Sequence, residues 1–154
     1  MTTTTDTTNR SNYISNLTKE AAAYVAFNLL PDDLKEVVEG QGLDTTELAL
    51  EAPSWGSGVS FVVPNGETAG MAGVTPDNRV WMLCTPAILK YPLTFAREAK
   101  RFIDSREEKY LWNYVDKRNQ AHCRLLKFLG FTFLREVQIG PNNLPFIEFI
   151  KLKC

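Results

Sequence analysis

The first candidate for catalysis is a histidine next to a cysteine. An imidazole can take the proton of a thiol and so activate it as a nucleophile. His122 is the single histidine, and Cys123 follows it directly. Neighbouring residues of a helix point about 100° apart, so these two side chains do not face each other. Cys123, like Cys84 in a strand-like run, is therefore interpreted as a small core residue.

Carboxylates form the second candidate group, because Asp32, Asp33 and Glu36 closely follow Pro31. Such a cluster could bind a metal ion or supply a general base. A proline in the first turn and acidic side chains near the positive end of the helix dipole are also typical of an ordinary helix start. We expect a solvated helix start here, and we assign no catalytic residue and no metal ligand.

The cysteines do not form a recognisable site. Cys84, Cys123 and Cys154 are an odd number of residues at unrelated spacings. This pattern fits neither a disulfide framework nor the paired cysteines of a zinc site. We therefore expect reduced thiols in a reducing compartment.

The glycines argue against a phosphate-binding loop. Gly70 and Gly73 lie inside a strand-like run with no helix after it, where glycine usually marks a bulge or close backbone packing. No glycine occurs between Gly73 and Gly130. The chain between them therefore lacks the small residues that let backbone N–H groups approach a pyrophosphate.

The C-terminal half of the sequence predicts a strand, a helix that ends at a glycine, and a second strand. A strand is expected over Tyr110–Asp116, a helix from Asn119 that ends at Gly130, and a strand over Phe131–Val137. The apolar spacing of the helix predicts a buried face formed by Ala121, Leu125, Phe128 and Leu129. A last strand, apolar on both faces, is expected over Pro145–Leu152.

The N-terminal half predicts helices followed by an antiparallel meander. Apolar and alanine-rich spacing predicts a helix over Leu17–Leu30, with apolar face Leu17, Ala21, Tyr24, Val25 and Asn28, and further helices at Pro31–Glu36, Thr45–Glu51 and Leu93–Arg106. The Asn65–Gly66 pair is a strong hairpin signal. The expected meander strands are Val59–Val63, Ala69–Val74 and Val80–Thr85.

The helix after Asn119 carries a resemblance to a known fold. The spacing of Asn119, His122, Leu125, Gly130 and Phe131 resembles the C-terminal helix of the GCN5-related N-acetyltransferase fold. The resemblance implies an α+β (α/β-like) domain, with a mostly antiparallel mixed sheet and helices on both faces. In that family a tyrosine seven residues after the asparagine protonates the coenzyme A thiolate. Here that position is Leu126, which has no titratable proton.

The cofactor loop departs further from that family, whose members follow the fourth strand with a Gln/Arg-x-x-Gly-x-Gly/Ala loop. Here Arg79–Thr85 runs into Pro86–Pro92. The two end prolines have no N–H, and the bulky side chains between them would obstruct a pyrophosphate. The sequence predicts no cofactor and no binding of acetyl-CoA in the usual mode.

Several ordered blocks carry a second, narrower resemblance. Together they resemble the small internal virion or morphogenesis protein family of short-tailed, podovirus-type phages, which shares the acetyltransferase-like scaffold. The resemblance covers residues 15–152, and its blocks are Val80–Pro86, Phe95–Lys100, Leu111–Val115, Asn119–Phe131 and Pro145–Phe149. It implies a virion-associated or assembly protein that acts by protein–protein contacts, with phage structural proteins as partners.

A second functional class stays open beside this one. The chain could be an acetyl-CoA-dependent N-acyltransferase with an atypical cofactor site. In that case the strand edge at Leu83, Cys84 and Thr85, together with the side chain of Asn119, would hold the pantetheine arm.

Composition and charge restrict the partners. With 17 basic and 18 acidic residues, the net charge is −1, so nucleic acid is not an expected partner. The one basic cluster, at Lys109, Lys117, Arg118, Arg124 and Lys127, is interpreted as a solvated face. No apolar run is long enough to span a membrane. We expect the host cytoplasm or the virion as location, with self-association left open.

Length and composition predict one domain preceded by an arm. An apolar fraction of 44% over 154 residues is enough for a single core. The threonine-rich start has no periodic apolar residue. We expect residues 1–14 to be a disordered or partner-anchored arm and residues 15–154 to be one acetyltransferase-like domain.

Overall fold

The computed structural model describes residues 13–153, which form an α+β domain with two sheets. The strands are β1 Ile14–Asn16, β2 Val59–Val62, β3 Thr68–Val74, β4 Val80–Cys84, β5 Tyr110–Asp116, β6 Thr132–Ile139 and β7 Leu144–Leu152. The α-helices are α1 Lys19–Ala26, α2 Pro31–Lys35, α3 Thr45–Glu51, α4 Pro92–Ser105 and α5 Gln120–Phe128. In this part of the chain, no helix has the length and apolarity that a membrane crossing requires.

The first sheet is antiparallel in the order β1-β2-β3-β4, and it confirms the predicted meander. Two glycines of β3 are required by close packing: a Cβ on Gly70 would lie 2.7 Å from the Leu83 carbonyl oxygen, and one on Gly73 would lie 2.7 Å from that of Gly56. The edge strand β1 was not predicted. Most of the predicted arm, residues 1–12, lies outside the described residues.

The second sheet has the order β5-β7-β6, with the apolar β7 at its centre. One parallel bridge, between Arg79 and Trp112, connects it to the first sheet beside the start of β4. Beyond that bridge β4 and β5 separate, so the carboxyl ends of the two strands, Cys84 and Asp116, border an opening between the sheets.

Helices cover both faces, which confirms the predicted fold class. The larger core cluster lies under α4 and α5 and includes residues of both sheets, such as Met82 and Phe149. A second cluster lies on the other side, where α1 and α3 pack on alternate residues of β3 and β4, such as Met71 and Leu83. The opening between β4 and β5 therefore lies between two apolar cores.

The predicted faces of two helices were partly wrong. In α1, which is shorter than Leu17–Leu30, the buried residues are Ala22, Val25 and Ala26. In α5, Leu126 is buried while Phe128 is 56% exposed. The apolar stripe of α5 was misplaced because this helix packs against two separate sheets. That packing sets which residues face the core, and the strongest apolar repeat does not.

Candidate functional site

The opening between β4 and β5 is closed by buried polar side chains from α2 and from the start of α5. Asp33 and Glu36 come from α2 and the π-helical turn that follows it, Glu36–Gly40. Asn119 is the N-cap residue of α5. All three are at most 5% exposed. Buried polar groups of this kind need hydrogen-bond partners, and their pairing defines the site.

Asp33 joins the two sides of the opening with one carboxylate. Its Oδ2 accepts the backbone N–H of Cys84 at 2.8 Å, and its Oδ1 accepts the side-chain amide of Asn119 at 2.7 Å. The predicted solvated helix start is therefore wrong for Asp33 and Glu36, and it holds only for the exposed Asp32. Tertiary placement of α2 against the opening overrides the local helix-start pattern.

Glu36 lies beside this bridge in the same buried cluster. Its Oε1 accepts the backbone N–H of Asp116 at 3.2 Å and a longer, 3.5 Å bond from Asn119. Burial, with the nearby charge of Asp33 as a second cause, raises the pKa of Glu36 to about 8. Glu36 therefore carries a proton at neutral pH, which avoids placing a second buried charge next to Asp33.

Arg118 forms an ion pair with Asp116, a third buried carboxylate near the opening. Arg118 binds Asp116 through two side-chain nitrogens, at 3.0 and 2.7 Å, and also binds Glu39 at 2.9 Å. Lys117 likewise pairs with Glu136 at 2.8 Å. Two members of the predicted basic cluster are thus engaged in ion pairs. No group of metal-binding side chains occurs within residues 13–153.

Other parts of the chain hydrogen-bond to backbone groups of β4 along the edge that faces the opening. The Leu30 N–H donates to the Cys84 carbonyl at 2.9 Å, so both backbone groups of Cys84 have partners. At the start of the strand, the side-chain amide of Asn113 donates to the Val80 carbonyl at 2.7 Å. The α1–α2 connection and two side chains therefore occupy the edge that faces the opening.

The other residues predicted to hold a pantetheine arm also have internal roles. The Thr85 N–H donates to the Ala69 carbonyl at 2.8 Å, and the Thr85 hydroxyl donates to that of Thr68 at 2.9 Å. The Leu83 side chain packs in the core on the α1 side. The structure thus brings Cys84 and Asn119 together through Asp33, while Leu83 and Thr85 contribute to packing and to the end of β4.

The segment after β4 is a 3-10 turn, Pro86–Leu89, capped by Thr85. Four backbone N–H groups in and directly after the turn are used within the chain: those of Ala87 and Ile88 donate to Thr85, and those of Lys90 and Tyr91 donate to carbonyls of the turn. Pro86 and Pro92 have no N–H. This segment therefore does not present a set of free donors to an anion.

Within residues 13–153, no hydrogen bond joins the His122 side chain to the thiol of Cys84 or Cys123. Cys84 is buried, and burial raises the pKa of its thiol well above the ordinary value. Burial lowers the pKa of His122, while the charge of Asp33 opposes that shift. The Cys123 Sγ lies 4.0 Å from the Asp116 carbonyl oxygen. Cys84 is thus a protonated core thiol, and this agrees with its interpretation as a core residue.

Cavities lie on both sides of the closed opening. The back cavity, of about 200 Å³, lies between Cys84, α4 and α5, and its wall is mainly apolar. The front cavity, of about 460 Å³, lies on the side of Gln41 and Trp55. A narrow space of about 50 Å³ between them is lined by Glu36 and His122 among others.

Sequence reasoning missed the buried cluster because its partners are far apart in the chain. Asp33 and Cys84 are separated by 51 positions, and Asp33 and Asn119 by 86. No periodicity connects them. The one local signal was that acidic residues directly follow a proline-started helix, and the same pattern also describes an exposed helix start.

Solved structures of acetyltransferases share this fold. A GNAT-family acetyltransferase from Streptococcus pneumoniae matches with a TM-score of 0.60 and 20% identity, over 92% of this chain and 98% of that chain. One from Bacillus anthracis matches with a TM-score of 0.67 and 9% identity, over 90% of this chain and 93% of that chain. The Vibrio cholerae spermidine N-acetyltransferase in complex with CoA and spermine matches with a TM-score of 0.62 and 12% identity, over 90% of this chain and 94% of that chain. At these identities the likeness shows the fold.

A family model gives the relationship in sequence. No curated protein matches the chain. The model described as "Bacteriophage T7, probable scaffold protein Gp13" matches residues 60–138, which is just over half of the chain. That segment runs from β2 into β6 and contains β4, the proline-rich turn and Asn119. The resemblance to a phage family with an acetyltransferase-like fold is thereby confirmed, and the chain belongs to this phage scaffold protein family.

Proposed function

We propose that this chain acts in phage particle assembly through protein–protein contacts, on an acetyltransferase-like scaffold that does not use acetyl-CoA. The observation that carries the proposal is the Asp33 carboxylate, which occupies the Cys84 N–H and the Asn119 amide at the opening between the sheets. The family description supports a role as scaffold.

The residues present do not fit acetyl-CoA in the usual mode. The strand-edge groups of Cys84 are occupied by Asp33 and Leu30. The turn after β4 lacks free N–H groups arranged for a pyrophosphate, and the position of the family's general acid is the buried Leu126. Binding in that mode would require breaking buried hydrogen bonds, each costing about 1–3 kcal/mol.

The proposed role uses two parts of the chain. Residues 15–154 act as one domain, and the threonine-rich residues 1–14 act as an arm that contacts a partner. The partners are phage structural proteins, met in the host cytoplasm or in the virion, and the cysteines stay reduced. Self-association is compatible with such a role.

Complementation tests the proposal directly. A phage deleted for this gene should give few infectious particles, and the wild-type chain supplied in trans should restore the yield. A Glu36→Gln variant, which cannot act as a base, should restore it equally, since catalysis is not required. Electron microscopy of the particles should locate the chain or its effect on the assembled shell. Normal particle yield without the gene would overturn the proposal.

One observation favours a second candidate, an N-acyltransferase with an atypical cofactor site. Glu36 lines the narrow space between the two cavities, and its pKa of about 8 would suit a general base. Leu83, Cys84, Thr85 and Asn119 would then hold acetyl-CoA only after α2 moved away from the opening.

Thiol release from acetyl-CoA tests this candidate. The wild-type chain and Glu36→Gln would be compared with a panel of amines between pH 6 and 9.5. The candidate predicts turnover that rises through about pH 8 as Glu36 ionises and that is lost in the variant. Equal, background-level release by both chains would eliminate it.

A further inference from the structure

The front cavity is built from aromatic side chains that belong to both sheets. Trp81 is on β4 and Tyr114 on β5, while Phe146 comes from β7 and Trp55 follows the turn after α3. The rings of Trp55 and Trp81 meet edge to face, with centroids 5.2 Å apart. At about 460 Å³ the cavity has the size of a small-ligand site.

Several polar side chains line this cavity, and hydrogen-bond donors are among them. The indole Nε1 of Trp81 is buried and has no acceptor among the described residues. Arg79 and the Gln41 amide also line the cavity. The acceptor of Asn113 is already used by the N–H of Tyr114, at 2.7 Å. Because the Trp81 Nε1 has almost no accessible surface, a ligand in the cavity would contact the Trp81 ring and not its N–H.

The charge of the cavity wall is positive. Arg79 is the single charged residue that lines it, and no acidic residue does so in the described chain. The nearest ion partner of Arg79 is Asp77 at 4.0 Å, and the side chains are 43% and 63% exposed, so the pair is weak. Glu36, in the adjacent narrow space, is protonated at neutral pH and adds no negative charge there.

We infer that the front cavity binds a carboxylate carried on an aromatic or bulky apolar group. Arg79 would pair with the carboxylate, the Gln41 amide would supply a neutral donor, and the rings of Trp55, Trp81 and Tyr114 would contact the apolar group. Such a ligand could be the C-terminal residue of a protein partner or a free organic acid. This binding does not depend on whether the chain acts in assembly.

Titrations of the ¹⁵N-labelled full chain at pH 7 test the inference. The three tryptophans give three indole signals, and a Trp81→Phe variant identifies the one from Trp81. The probes are N-acetyl-L-phenylalanine, its carboxamide, and phenethylamine. We expect the acid to shift the Trp81 signal and to bind about tenfold more tightly than the amide, since a charged hydrogen bond is stronger than a neutral one. The amine should not bind.

Two variants test whether binding depends on the charge of Arg79, and a second acid distinguishes the two sources of the ligand. Arg79→Met keeps most of the side-chain length, removes the charge and should weaken binding of the acid about tenfold. Arg97→Met, on the exposed side of α4, is the matched control and should leave binding unchanged. Tighter binding of N-acetyl-L-phenylalanine than of 3-phenylpropionate indicates a protein chain end, and equal binding indicates a free acid. Equal affinities for acid and amide, or preference for the amine, would overturn the inference.

Discussion

At the scale of single residues, Asp33 is the side chain that decides the state of the opening. Burying a carboxylate costs several kcal/mol unless hydrogen bonds replace its water. Asp33 receives such bonds from Cys84 and from Asn119, one on each side of the gap. The arrangement therefore holds the end of β4 and the start of α5 in register through one charged group.

Removing this carboxylate should be costly. Asp33→Ala leaves the Cys84 N–H and the Asn119 amide without their main acceptor, so the free energy of unfolding should fall by about 3 kcal/mol. Asp32→Ala, on the same helix but exposed, should change it by less than about 0.5 kcal/mol. Urea denaturation with unchanged m-values measures both. Equal effects of the two substitutions would show that Asp33 does not bridge the opening.

Glu36 should give the protein a distinctive pH dependence. The pKa of Glu36 rises from an ordinary 4.5 to about 8 on folding, so the folded chain holds a proton that the unfolded chain has lost. The stabilising contribution is fully present below pH 4.5 and disappears as the pH rises through about 8. The slope from this group is at most about 1.4 kcal/mol per pH unit.

Glu36→Gln removes that slope while keeping an oxygen acceptor for the Asp116 N–H. Its stability between pH 5 and pH 8 should therefore be flatter than that of the wild type. Glu39→Gln is the matched control, since Glu39 is on the same turn and half exposed. Urea unfolding at unit pH steps measures the difference, and parallel curves for wild type and Glu36→Gln would contradict the assignment.

At the scale of elements, α5 shows which features local sequence determines. The start of the helix at Asn119 and its end at Gly130 were both predicted and confirmed, because the Asn119 N-cap and the left-handed Gly130, with φ of +94°, are local features. The buried face was predicted from apolar spacing alone and was partly wrong at Phe128 and Leu126. Which residues face inward depends on two sheets whose strands are distant in the sequence.

The cap of α5 should also behave unlike an ordinary N-cap. Aspartate and asparagine are nearly equivalent at exposed N-caps. Here Asn119→Asp would put a second carboxylate against Asp33, 2.7 Å from its Oδ1, and remove the amide donor. We expect this substitution to lower the melting temperature at least as much as Asn119→Ala, for which capping loss alone costs about 0.5–2 kcal/mol.

A second N-cap in the same chain is the control for this prediction. Asp44 caps α3 through an exposed capping box with Glu47. Asp44→Asn should therefore be close to neutral. Thermal unfolding of the three variants decides the matter, and a harmless Asn119→Asp would mean that Asp33 and Asn119 are not in contact.

At the scale of the whole molecule, the resemblance of Asn119–Phe131 to the acetyltransferase fold implied the fold class, but nothing in the sequence predicted the closure of the opening. The meander, the strand–helix–strand C-terminal half and the proline-rich turn are all local patterns, and each was recognisable. The Asp33 bridge, the proton on Glu36 and the Arg118 pairs depend on segments that meet after folding. In the proposed role in phage assembly, the chain would use the shape of the acetyltransferase fold without its cofactor.

Isothermal titration calorimetry of the full chain with acetyl-CoA at pH 7 tests the closed opening most directly. With the Cys84 backbone groups and the Asn119 amide already engaged, we predict no saturable heat up to about millimolar ligand. A saturable isotherm with a Kd on the order of micromolar would contradict the account.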